Sequence, residues 1–242
     1  MYWFLLRPKW IGFTLGIVLL IVVMINLGFW QLRRLDQRRE FNAAVEARYD
    51  AAPQPLDSVL TLGTDPDDVQ WRPVTAVGTY RTEGTVHIVN RSQNGFAGDN
   101  IVVPFDLGDG RVLLVNRGFL PMGDDVPPAP SGEVEVIGRL RPSQTRHFAQ
   151  LSDPSAGTLT EAQRVDIPRL QQQVDGELVD MYVDVFASDP ADSPVLEPVV
   201  KPDLSEGPHL SYAIQWFCFA VVALVGAVIL LRRDRRAATG AP

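Results

Sequence analysis

The chain has 242 residues, a formal net charge of −7 and one cysteine, Cys218; a lone cysteine excludes a disulfide framework and any Cys-x-x-Cys pair for thiol exchange, zinc or copper(I). Three histidines far apart in sequence, His87, His147 and His209, do not make a metal cage. The charge is uneven, with 26 acidic and 12 basic side chains in residues 41–208, a balance that repels nucleic acid and anionic lipid and leaves protein or a small ligand as partner.

The first element is "WIGFTLGIVLLIVVMINLGFWQL", 23 residues from Trp10 to Leu32 without a charge or a histidine. A hydrocarbon core needs roughly 20 helical residues, and the stretch lacks the small-residue cleavage site of a secretory signal, so it is expected to be a retained transmembrane helix over 10–32. Nine residues precede it, with no Arg-rich, Ser-rich leader. "RRLDQRREFNAAVEARYD" contains neither Pro nor Gly and is expected to continue that helix into water. "AAPQPLDSVLTLGTDPDDVQ" is a connector with room for one helical turn.

From residue 73 the pattern changes to strands. "PVTAVGTY" (73–80), "TVHIVN" (85–90), "IVVPFDL" (101–107), "RVLLVNRGFL" (111–120), "EVEVIGRLR" (133–141) and "LVDMYVDVFA" (178–187) are rich in β-branched residues and separated by turn chemistry. A short helix is expected around "DIPRLQQQV". Residues 33–208 therefore read as one mostly antiparallel β domain, barrel-like or a sandwich, with a helical N-terminal extension. Within it, "NGFAGDN" (94–100) precedes a strand and not a helix, so it is a hairpin loop and not a phosphate cradle. "VNRGFLP" places Arg117 at a strand end, either to clamp a carboxylate or as a solvated charge beside a Gly turn. No Ser near a His, no paired carboxylates and no H-E-x-x-H occur, which disfavours an enzyme.

The last apolar stretch, "HLSYAIQWFCFAVVALVGAVILL" (209–231), is a second transmembrane helix, followed by a short basic tail (232–242). The fold class is thus a membrane protein of α+β type, a two-transmembrane-helix hairpin bracketing a single β-rich domain. Flanking charge barely orients it: Arg7, Lys9 and the four arginines of "RRDRR" oppose Arg33, Arg34, Arg38, Arg39 and Lys201. The expected orientation has both termini cytoplasmic and the domain extracytoplasmic.

Four stretches, "LGFWQLRRLDQR", "WRPVTAVGTY", "GDNIVVPFDLGDGRVLLVNRGFLP" and "HLSYAIQWF", in this order and within a helical hairpin, resemble the Surfeit locus protein one family of membrane assembly factors for haem-copper cytochrome c oxidase. The chain departs from the family at Phe119, where Trp is usual after Arg-Gly, and at "EGPHL", where an Asn-containing approach is common. The resemblance implies a non-enzymatic helper that binds or positions haem a for insertion into the catalytic subunit, or stabilises the intermediate that accepts it. It implies oxidase subunits as partners and, with no import leader, a bacterial plasma membrane. The alternative is an accessory protein docked on the oxidase or a respiratory supercomplex without haem of its own.

With that family in view, the polar entrance of the second span acquires a reading. His209, Tyr212, Ala213 and Trp216 follow i, i+3, i+4, i+7 spacing and share a helix face; imidazole is a common axial ligand of haem iron, which makes His209 the candidate metal ligand, and flat rings pack on a porphyrin. The first helix brings Asn26, Trp30 and Arg33 to the same depth, and Arg33 or Arg34 suits haem propionates. Gly12 and Gly16 have the small-xxx-small spacing of close helix contact. The alternative is interfacial anchoring, since Trp, Tyr and His collect at membrane surfaces and arginines snorkel there, or contact with an oxidase helix.

Overall fold

A computed structural model of the chain describes residues 8–239. Arg7 and the last three residues of the basic tail lie outside the described residues. The described residues form two compact units, one through residue 43 and again from residue 203, the other of residues 44–202.

The first unit is an antiparallel pair of long helices, α1 (Pro8–Arg48, of which the first unit holds the part through residue 43) and α5 (His209–Thr239). Both contain windows of mean hydropathy 2.5, long and apolar enough to cross a membrane. As expected, α1 runs unbroken past the apolar stretch into the charged one. The residues of α5 that lose solvent access are spaced by three and four: His209, Ala213, Trp216, Ala220 and Ala227 are buried or half-buried. On α1 the same spacing selects Ile21, Met24, Gly28, Gln31, Leu35 and Asn42. Repeats of this kind make a left-handed two-helix seam. The helices pack tightly at Gly28, where a Cβ would lie 2.5 Å from the Phe217 ring, and Phe29 meets the same ring edge-on at 5.4 Å. The Gly12 and Gly16 expectation is corrected accordingly: among the described residues nothing lies within 4 Å of a Cβ at either, so they do not make the close contact. Spacing alone cannot choose among glycines; Gly28 is chosen because it falls in the seam repeat.

The second unit holds all eight strands. In chain order they are β1 (Gln54–Pro55), β2 (Pro73–Tyr80), β3 (Val86–Gln93), β4 (Phe96–Asp106), β5 (Arg111–Pro121), β6 (Val134–Pro142), β7 (Glu161–Ala162) and β8 (Glu177–Asp189). One-turn helices α2 (Leu56–Val59) and α3 (Pro66–Val69) occupy the connector, and α4 (Ile167–Leu170) with a following 3-10 turn forms the short helix expected there. The strand order is β1-β2-β6-β8-β5-β4-β3-β7, and β2 also pairs with β4 through Thr79 opposite Asp106 and Tyr80 opposite Phe105. That last pairing joins β2, β6, β8, β5 and β4 into a closed ring, so the barrel alternative holds and the sandwich does not. Most pairings are antiparallel, but β1–β2, β3–β7 and the long β5–β8 ladder are parallel, which makes the sheet mixed.

Alternation along the strands feeds two cores. Leu113 and Val115 of β5, Met181, Val183 and Val185 of β8, Phe105 of β4 and Val74 of β2 fill the barrel. Their neighbours Val112, Leu114, Leu178, Tyr182 and Val102 face outward and are covered by Leu159, Val165, Ile167 and Leu170. Because this wall is buried on both faces, "RVLLVNRGFL" reads as a continuous apolar run with no alternation. The "NGFAGDN" reading needs correction in part: Asn94 and Gly95, both at positive φ, make a two-residue hairpin turn, while residues 96–100 are already β4 and pair with β3 and β5.

Candidate functional site

The helix pair places the candidate residues unequally. His209 is half-buried in the seam, and its Nδ1 lies 2.8 Å from Oε1 of Gln31, to which an Nδ1–H donates. In that tautomer Nε2 carries the lone pair and is the nitrogen able to ligate a metal. Gly207, at φ +68°, lies beside the ring: a Cβ there would be 3.7 Å from His209 Nε2. Ala213 is buried and Trp216 half-buried on the same face, with Phe219 edge-on to Trp216 at 6.0 Å. Tyr212 is 47% exposed and lies off the seam.

On α1 the face carrying Asn26, Trp30 and Arg33 is turned outward. Trp30 is 47% exposed, Asn26 donates to the Val22 carbonyl of its own helix, and Arg33 is exposed. Arg34 is exposed as well and reaches Gln37 at 3.0 Å. The structure therefore brings together His209, Ala213 and Trp216, leaving Tyr212, Trp30, Arg33 and Arg34 on exposed flanks. The residue that meets His209 is Gln31, which the charge and aromatic pattern does not single out. Its signal is positional: it is a polar side chain in phase with Met24, Gly28 and Leu35, and one polar group in an apolar seam fixes register.

Below the histidine the pair is tied polar group by polar group. Arg39 makes a two-pronged contact with Glu206 at 2.8 and 3.1 Å, Arg38 donates to the carbonyls of Ser205 and Asp203, and Asn42 donates to the Leu204 carbonyl. The guanidinium of Arg39 holds the Glu206 carboxyl below the usual glutamate range. Glu206 and Gly207 both come from "EGPHL", the departure noted in the sequence, and both act on the approach to His209.

In the second unit Arg117 is neither at a strand end nor solvated. It sits inside β5 with its side chain 2% exposed, clamps Asp192 through Nε and Nη2 at 2.8 and 2.7 Å, and donates to the carbonyls of Pro127 and Pro128. It thus clamps a carboxylate of its own chain, a structural role. Phe119 is buried, and its backbone pairs with that of Glu197 in both directions at 2.7 and 2.9 Å. Among the described residues no group of three or more His, Cys, Asp or Glu side chains could hold a metal ion.

A closed five-membered strand ring, set between two long apolar helices with a histidine hydrogen-bonded to Gln31 at the entry of the second, defines an α+β protein with two candidate membrane spans. The chain belongs to the SURF1 family, whose model matches residues 18–221. It is 29% identical over 251 residues to a SURF1-like protein of Mycobacterium tuberculosis, covering 99% of this chain and 91% of that one. A SURF1-like protein of Rickettsia felis is 25% identical over 227 residues, with 90% and 96% covered. Surfeit locus protein 1 of Xenopus tropicalis is 30% identical over 172 residues, with 61% of this chain and 52% of that one covered.

Proposed function

We propose that this protein is a membrane-anchored assembly factor for haem-copper cytochrome c oxidase that holds haem a transiently, as cargo, for the catalytic subunit. In this reading residues 10–32 and 209–231 span a bacterial plasma membrane and the barrel lies outside the cytoplasm. One observation carries the haem assignment: Gln31 accepts from Nδ1 of His209 and so leaves Nε2 as the unprotonated nitrogen. Tyr212 and Trp30 supply exposed aromatic surface, and Arg33 and Arg34 are free enough of solvent-excluding contacts to meet propionates. Since Gly28 and Phe217 pack in direct contact, a porphyrin does not fit between these helices there. It would sit on a flank, with an oxidase helix as the natural second wall. Haem contributes redox-active iron to the oxidase; this chain's part is to bind and orient it.

Purified protein from cells making haem a should show a Soret band, which His209→Ala removes or shifts while insertion is unaffected; Trp216→Phe should do much less. An unchanged spectrum in His209→Ala ends the ligand assignment. Gene deletion should lower assembled oxidase and its haem a signal while haem synthesis continues, and accumulation of haem O would point to a biosynthetic role. Reporters fused after Gln70 and Pro130 should be active only outside the cytoplasm, and one after Ala238 only inside.

A second reading, a haem-free accessory protein docked on the oxidase or a supercomplex, is favoured by the same exposed flank. It is distinguished by oxidase co-purification without any Soret band.

A further inference from the structure

The second unit contains a cavity of about 650 Å³ that the family reading does not use. It is lined by polar side chains, among them Arg91, Arg141, Arg164, Gln144, Gln163 and His147. Three guanidiniums around one cavity are unexpected in a segment with more than twice as many acidic as basic side chains.

Local backbone puts one of them there. β3 slips register against β4 between Ile88 and Arg91, and Asn90 within the slip has φ +59°. A bulge of this kind re-aims the side chain that follows it. Arg91 donates through Nη2 to the Gln163 carbonyl at 2.8 Å and has no carboxylate partner among the described residues. Arg141 lies flat on Trp71, 3.7 Å from the ring centroid, with Nη1 3.3 Å from Asp184. Arg164 is paired with Asp153 at 3.3 Å. Of the three, Arg91 alone makes no direct ion pair among the described residues, although its charge acts on Asp184. The Nε atoms of Arg91 and Arg141 are also buried without a hydrogen-bond acceptor. A buried donor left unsatisfied is destabilising, more so when charged, and Arg117 shows what a satisfied guanidinium looks like in the same unit.

We propose that this cavity is a binding site for the oxyanion group, phosphate or carboxylate, of a small soluble ligand, with Arg91 the specific contact and Arg141 its stacked support. The planar fork of a guanidinium matches two oxygens of one oxyanion. The polar lining is wrong for a porphyrin ring, so the site is independent of the haem reading and stands or falls separately from it.

The test is calorimetric titration of full-length protein in neutral detergent at low salt, with inorganic phosphate and with citrate. Saturable binding of either is expected, weakened roughly tenfold or more in Arg91→Gln and unchanged in Arg111→Gln, which removes an exposed arginine outside the cavity. Arg91→Lys keeps the charge and loses the fork; it should bind measurably more weakly than the parent, and it serves in place of Arg91→Gln if that variant does not fold. Absence of saturable binding overturns the site. So does equal weakening by Arg91→Gln and Arg111→Gln, which means a diffuse field, or full retention in Arg91→Lys. Displacement of phosphate by short-chain phosphatidylglycerol at lower concentration overturns the soluble-ligand assignment.

Discussion

The helix pair and the barrel both bury polar groups, but they do it with different stakes. In the barrel wall, Arg117 and Asp192 are an ion pair of 2% and 12% side-chain exposure, with two further carbonyls in place. In the helix seam, one hydrogen bond joins Gln31 and His209 between half-buried side chains. Breaking a desolvated pair leaves an uncompensated charge, whereas a single bond between apolar helices averages about 0.6 kcal/mol. Polar chemistry in the barrel holds the fold together, and polar chemistry in the seam is left available for something else.

The sharpest way to break this contrast is Arg117→Ala. It strands Asp192 and should destabilise the second unit by about 3–5 kcal/mol, read as a large fall in the denaturant midpoint. Removing both partners together should recover part of the loss. A loss under about 1 kcal/mol would mean that the pair behaves as a surface contact.

Next in size is Gly28→Leu, which forces a side chain into the space of the Phe217 ring. Overpacking costs about 1–3 kcal/mol, here expressed as separation of α1 from α5 and not as unfolding of the barrel. Cysteines introduced by Arg39→Cys and Glu206→Cys in a Cys218→Ser background should be joined by a short bis-maleimide in the parent and much less with Gly28→Leu. Gly12→Leu should leave cross-linking unchanged.

A third test uses pH. Burial raises the carboxyl of Asp184 above its ordinary value, opposed by Arg141 and the Asn116 amide, which donates to it at 2.7 Å. A raised folded value means that the native state binds the proton more tightly than the unfolded chain. This group's contribution is therefore full below the ordinary aspartate range and is lost as pH rises through the elevated folded value. Melting temperature followed from acid to neutral pH should show that component in the parent and lack it in Asp184→Asn. Asp106 runs the other way: hydrogen bonds from Arg81 hold its carboxyl low, so its contribution is lost as pH falls.

The smallest thermodynamic effect belongs to Gln31→Ala, about 0.6 kcal/mol. Its measurable consequence is on His209, whose ring-nitrogen NMR shifts should change from a single Nδ1–H tautomer to a mixture. A stability loss of several kcal/mol in Gln31→Ala would place the seam in the same class as the barrel.

Much of this architecture was legible beforehand because it rests on local chemistry. The six long strands follow from β-branched runs between turn residues, and the helices from uncharged stretches of sufficient length. The misses have a common physical origin in partner choice. Residues 96–100 have little strand propensity and are strands because β3 and β5 supply hydrogen bonds on both sides. β1 and β7 are two residues each and exist only as parallel pairings. Arg117 stood between a carboxylate clamp and a solvated charge because charge in sequence says nothing of the Asp192 brought to it across 75 positions. At the candidate site, His209 was visible by type and location. Gln31 was hidden among aromatic and charged neighbours until the seam repeat gave it a phase.

The position of β8 in the ring also dictates an order of events during synthesis. β5 and β6 are complete by residue 142, yet they do not pair with each other; both wait for β8, whose Val183 stands opposite Val115 on one side and Leu140 on the other. Until about 47 further residues have left the ribosome, the nascent domain exposes two unpaired strand edges and an unfilled interior. Contacts that distant in sequence form slowly. The second apolar helix begins only 20 residues after β8 ends, at His209. Closure of the ring and delivery of the second helix therefore fall in the same short interval of translation, so a chain stopped between Pro142 and Asp189 is the most aggregation-prone form this protein passes through.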